Sequence, residues 1–165
     1  LELAPKEGRK PQDNSRVILK GSFCEQPPLG LIRSLERAGG YIVEDDFVLG
    51  CRWLKGPIST EGDIVKNISD AFLDDSREGS FKYNPDHKGD ELIANYKDKK
   101  ADGVVFCAAS FCDPGLLEQP LLQKICDDNE ISYTAFQYAE NTGQYGPIRE
   151  QVGTFSDSIK LWGEA

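Results

Sequence analysis

Residues Asp102–Gly115 read "DGVVFCAASFCDPG", and this stretch decides the fold. Its apolar run is too short for a helix and does not alternate with polar residues. Such a run is a strand buried on both faces, the kind found inside a parallel sheet. The strand is expected to end near Ser110. Asp113 can cap a following helix and Pro114 can take its first position. Cys107 therefore falls within the strand, where alternation aims it into a packed layer. Cys112 falls just past the strand, at the start of a helix.

Working outward, the same grammar repeats. Upstream, "RVILKGSF" (16–23) carries a short β-branched run, Val17–Leu19, that reads as another buried parallel strand. Pro27 and Pro28 lead into a helix with Leu29, Ile32 and Leu35 on one face, ended by Gly39-Gly40. "YIVEDDF" (41–47) is the next strand. Thr60 with Asp63 resembles a capping box opening a helix with Ile64, Val65, Ile68 and Phe72 on one side. A helix near 91–100 presents Leu92, Ile93 and Tyr96. Downstream, a helix after Pro120 carries Leu121, Leu122 and Ile125, and "ISYTAF" (131–136) is a strand. A last helix begins at Pro147, with Ile148, Val152, Phe155, Ile159 and Trp162 stepping by three and four. Strand and helix alternate with no hairpin signal. The predicted fold class is α/β: doubly wound (Rossmann-like or flavodoxin-like), with a mainly parallel sheet and helices on both faces, strands lying near Val17, Ile42, Val104 and Tyr133.

Composition narrows the function. The 165 residues suffice for one domain, burying roughly 70% of the unfolded surface. A net charge of −9 with no basic cluster repels phosphate backbones, so nucleic acid is not an expected partner. No apolar run approaches the ~20 residues of a membrane span. Five cysteines without a leader-like segment are expected to be reduced thiols in a cytoplasm. The chain opens at Leu1 and has no methionine, so a C-terminal piece of a longer polypeptide is expected. Residues 1–15, polar and broken by Pro5 and Pro11, read as a linker from a missing N-terminal domain, and 16–165 as the α/β domain.

Ligands of doubly wound sheets sit outside the carboxyl ends of the strands. The stretches expected there are "GSFCEQPPLG" (21–30), "EDDFVLGCRW" (44–53), "SFCDPG" (110–115) and "QYAENTGQYG" (137–146). They contain Cys24, Cys51 and Cys112, while Cys107 and Cys126 read as inert core. A thiol at a positive helix end favours thiolate, the form that binds metal or attacks carbon. From these residues alone Cys112 stands open between metal ligand, nucleophile and packed side chain. Catalysis needs a base, and the only histidine, His87, lies in the polar stretch "YNPDHKGD" (83–90). No C-x-x-C pair supports zinc, whereas an iron–sulfur cluster completed from outside the chain remains compatible. Neither a G-x-G-x-x-G nor a P-loop is present. Asp45-Asp46 fits a cation site or, more simply, a solvated or capping pair. Arg52 and Arg149 can recognise anionic groups such as CoA phosphates.

Three segments carry a family resemblance: "GSFCEQPPLGLIRSLERAGGYIVEDDF" (21–47), "KADGVVFCAASFCDPGLLEQPLL" (100–122) and "YTAFQYAENTGQYGPIREQVGTFSDSIKLW" (133–162). Together they resemble the C-terminal half of a cluster-binding subunit of the benzoyl-CoA reductase / 2-hydroxyacyl-CoA dehydratase family. The resemblance implies a [4Fe-4S] cluster held by three cysteines, with Cys112 of "FCDP" as the ligand from this half and two others from an N-terminal half. It implies a homologous cluster-binding subunit, separate activator subunits that hydrolyse ATP with Mg, reduced ferredoxin as electron donor, and benzoyl-CoA reduced to a dienoyl-CoA. Cys24 and Arg149 are the candidate substrate contacts. A 2-hydroxyacyl-CoA dehydratase subunit is the alternative. A non-catalytic receiver or flavodoxin-like module is more remote, since "KGSFC" (20–24) supplies neither the acids nor the phosphate loop those modules need.

Overall fold

A computed structural model describes residues 8, 12–21, 27–47, 56–74, 89–139 and 145–162. The elements alternate along the chain: β1 (Ser15–Lys20), α1 (Leu29–Arg37), β2 (Gly40–Asp45), α2 (Ile64–Leu73), α3 (Asp90–Asp98), β3 (Gly103–Ala109), α4 (Asp113–Asp128), β4 (Tyr133–Tyr138) and α5 (Gly146–Trp162). The four strands form one all-parallel sheet in the order β2-β1-β3-β4. The strand positions and the α/β class expected from the sequence are those observed. No helix is long and apolar enough to cross a membrane among the described residues.

The non-alternating strands are buried on both faces, and each face has its own core. Val17 and Leu19 of β1 and Val105 and Cys107 of β3 pack with Leu31 and Leu35 of α1 and Val152 of α5. Ile18, Val104 and Phe106 point the other way, onto Leu92 of α3 and Leu122 and Cys126 of α4. The two-residue side-chain period of a strand produces this split. α5 presses closest at the start of β3. A Cβ on Gly103 would lie 2.7 Å from Phe155 Cζ and 2.8 Å from Ile159 Cδ1, so a larger residue would have to displace both side chains. A polar knot closes the same layer. The Ser15 and Ser156 hydroxyls lie 2.7 Å apart, Ser15 donates to the Ser156 carbonyl, and Ser156 donates to that of Gly39.

Three local expectations are corrected. In α1 the buried pair is Leu31 and Leu35, and Leu29 is 77% exposed. Pro28 is the N-cap, with ψ of 132°, which makes Leu29 the first helical residue and turns it outward. The cap of α2 is Asp63 rather than Thr60. Its Oδ1 accepts from the N–H groups of Val65 and Lys66 at 3.0 and 3.1 Å, because Gly62, at φ +77°, turns the chain after Thr60. The helix expected after Pro120 is no separate element: it continues, through the proline, the helix whose start was expected at Asp113 and Pro114. Pro120 removes one internal hydrogen bond, a cost of about 3 kcal/mol. Burial of Leu122 and Cys126 beyond it offsets that cost.

Candidate functional site

The chain leaves β1 for β2 on one side and later returns to β3 on the other, so the strand order reverses between β1 and β3. The crevice outside the carboxyl ends at such a reversal is where open α/β sheets bind ligands. β3 reaches furthest into this edge. Its pairing with β4 continues to Ala109↔Tyr138, and the Ser110 N–H adds a bond to the Tyr138 carbonyl at 2.8 Å.

A tight turn then swings the chain into α4. The Cys112 N–H donates to the Ala109 carbonyl at 3.1 Å, and the Cys112 carbonyl accepts from Leu116 at 2.9 Å. Cys112, rather than Asp113, is therefore the N-cap residue, with Asp113 and Pro114 in the first turn. Its side chain makes no capping hydrogen bond and is half-buried. The thiol stands at the sheet edge, over a helix N-terminus, with its lone pairs unused by the cap.

The turn depends on an unusual residue. Phe111 adopts φ +66°, the left-handed region that costs a non-glycine residue about 1–3 kcal/mol. Its ring is 95% exposed. Among the described residues the other left-handed non-glycine positions, Lys100 and Glu130, follow the ends of α3 and α4, where that conformation is common. Phe111 precedes a helix instead. The sequence marks it by nothing more than its bulk beside the cysteine, and it is absent from the residues expected to act.

The other two described cysteines are chemically quiet. Cys107 is fully buried, and burial, with the Asp46 carboxylate adding to it, holds its thiol well above the usual range. Burial, helped by Asp127, pushes Cys126 up to about 11. Both stay protonated at neutral pH and supply no thiolate. The strand that holds Cys107 and the turn that releases Cys112 separate two thiols only five residues apart.

The acidic pair at the end of β2 turns out to shape the edge. Asp46 is buried, accepts the Gly21 N–H at 3.1 and 3.2 Å, and lies 3.8 Å from the Lys20 ammonium. It thus pins the point where the chain leaves β1. Asp45 Oδ1 accepts from the Phe47 N–H at 2.9 Å. Across the edge, Arg149 is exposed in the first turn of α5, and Tyr145 just before that helix lays its ring against Gly30. Cys24, Cys51, Arg52 and His87 lie outside the described residues. Among the described residues, no three His, Cys, Asp or Glu side chains are grouped to hold a metal. Cys112 fits one soft ligand position, and completion of a thiolate-held cluster needs donors from elsewhere. Two open grooves, about 420 and 510 Å³, lie at the opposite, amino edge, beside Asp102 and Ser132 and beside Gly39 and Gly40.

Comparison with known proteins gives the chain a family. Residues 1–159 match the family model described as 2-hydroxyglutaryl-CoA dehydratase, D-component. The chain is 51% identical over 164 residues to one of the benzoyl-CoA reductase subunits of Thauera aromatica, covering 98% of this chain and 42% of that protein. It is 26% identical over 151 residues to the (R)-phenyllactyl-CoA dehydratase beta subunit of Clostridium sporogenes, covering 91% of this chain and 39% of that protein. The chain thus spans about two fifths of the length of these relatives. From a match that runs through nearly every residue, including the turn that carries Cys112, the chain belongs to the 2-hydroxyglutaryl-CoA dehydratase D-component family.

Proposed function

We propose that this chain is the C-terminal α/β domain, residues 16–165 after a linker, of a cytoplasmic benzoyl-CoA reductase subunit. In this reading it takes part in ATP-driven, ferredoxin-dependent reduction of the aromatic ring to a dienoyl-CoA. Cys112 carries the reading: among the described cysteines it alone leaves the core, at the reversal of strand order, with its thiol unbonded to the helix cap. It supplies one of three thiolates to a [4Fe-4S] cluster, and the other two come from an N-terminal half. The assembly is completed by a homologous cluster-binding subunit, and ATP and Mg are used on activator subunits. Identity to the Thauera aromatica reductase subunit, twice that to the dehydratase subunit, favours ring reduction over dehydration. The family description and the second relative support 2-hydroxyacyl-CoA dehydration as the other reading. Both relatives are named for CoA thioesters that carry a phenyl ring.

A bound cluster supplies single electrons at low potential. The chain's own residues prepare the place. Cys112 is oriented by its two backbone hydrogen bonds, one through its N–H and one through its carbonyl. The packed floor beneath, with Leu19, Val105 and Cys107 all fully buried, keeps water from the inner side of the edge. Asp46 fixes the exit from β1 at Gly21, and Arg149 offers a guanidinium for a CoA phosphate.

The test uses the full-length protein, assembled with its partner subunits and purified without oxygen. Cys112→Ala is expected to lose iron and visible absorbance while keeping its fold. Cys107→Ala is expected to keep its iron and lose about 1 kcal/mol of stability. Full iron in Cys112→Ala together with loss in Cys107→Ala would reverse the assignment. Turnover of benzoyl-CoA against a 2-hydroxyacyl-CoA separates reductase from dehydratase.

A further inference from the structure

We propose that Phe111 is a specificity-determining residue whose ring contacts the aromatic group of the acyl-CoA, a role that rests on the aryl-CoA reading above. Two independent observations meet at this side chain. Its backbone sits at φ +66°, where glycine or asparagine would serve the turn with less strain. Its ring, 95% exposed, gains no packing in return among the described residues. An apolar residue just before an N-cap often packs against the fourth helical residue, here Leu116. Phe111 does not, since so exposed a ring covers nothing among the described residues. The turn therefore holds a bulky aromatic outward, one residue from Cys112, on the edge where the strand order reverses. In this reading the ring stands on the edge along which an acyl-CoA approaches Cys112. Offset or edge-to-face contact between two aromatic rings exceeds the simple burial of an aliphatic group, so the natural complement is an aryl thioester.

The experiment measures equilibrium binding of benzoyl-CoA and of hexanoyl-CoA to the complete complex, assembled without oxygen. Phe111→Leu is expected to weaken benzoyl-CoA roughly two- to tenfold while leaving hexanoyl-CoA within about twofold. Phe111→Tyr should restore the preference. Phe111→Gly should lose it without lowering the thermal midpoint, since glycine relieves the left-handed strain. Leu117→Ala is the control, because Leu117 is 80% exposed on the helix that follows but lies a turn further from the thiol. Equal weakening of both esters, or of neither, would overturn the proposal. So would dissociation of the complex by Phe111→Leu with ester preference intact, which assigns the ring to a protein contact. A wild-type complex that binds hexanoyl-CoA but not benzoyl-CoA would instead bring down the aryl-CoA reading itself, and this inference with it.

Discussion

A thiol's surroundings decide whether it is a reagent or a filler, and this chain sets the two cases five residues apart. Cys107 fills a layer between β3 and the α1/α5 face, and Cys126 does the same beneath α4. Burial raises both, so the folded protein holds their protons more tightly than the unfolded chain does. The sign follows from linkage: the stabilising effect of neutral Cys126 is complete below pH 9.0 and is lost as pH rises to about 11. The slope from one such group is at most about 1.4 kcal/mol per pH unit. Urea midpoints across pH 8–11 should therefore fall less steeply for Cys126→Ala than for the parent. Equal slopes would mean that Cys126 ionises as freely folded as unfolded. The distinction between Cys107 and Cys112 was legible in the sequence, because strand alternation and the Asp-Pro helix start are both local signals. Phe111 was not, since a positive φ leaves no mark in a sequence when the residue is not glycine.

At the level of elements, the helices divide by what lies beneath them. α1 and α5 are anchored by Leu31, Leu35 and Val152, and α3 and α4 by Leu92, Leu122 and Cys126. α2 buries none of its residues, and Ile64, Val65, Ile68, Phe72 and Leu73 are each more than half exposed. Its stability rests on the Asp63 cap, the Lys66–Asp70 pair and Asn67 reaching back to the Ser59 and Glu61 carbonyls. The cap contributes about 1 kcal/mol, and the solvent-screened ion pair little. Amide exchange in α2 of this chain should thus be orders of magnitude faster than in the middle of α5. Equal protection factors by mass spectrometry would refute that ordering. The periodicity of α2 was readable, but a pattern of apolar residues does not say what the apolar face meets. The same limit misassigned the inner face of α1, where the geometry of Pro28 chose Leu31 over Leu29. A different limit applies to α4: its Asp-Pro start was readable, but a proline usually marks a boundary, so the continuation of that one helix through Pro120 was not.

For the molecule as a whole, the sheet order makes the first strand an inner one, and α5 lies over the start of the sheet. The Ser15–Ser156 knot joins positions 141 residues apart. Ser15→Ala and Ser156→Ala should each cost about 1 kcal/mol, and the double change less than their sum, because both remove the same hydroxyl pair. Strict additivity in urea titrations would show that the two hydroxyls act separately. That knot also sets a schedule. A ribosome delivers Ser15 first, and at ~5–20 residues per second its partner follows roughly 7–30 s later. Through that interval Val17 and Leu19 have α1 beside them but lack Val152 of α5, which completes their layer. The nascent chain therefore presents an apolar segment early and finishes covering it only once α5 has emerged, so the interval between them is when this domain is most exposed to aggregation.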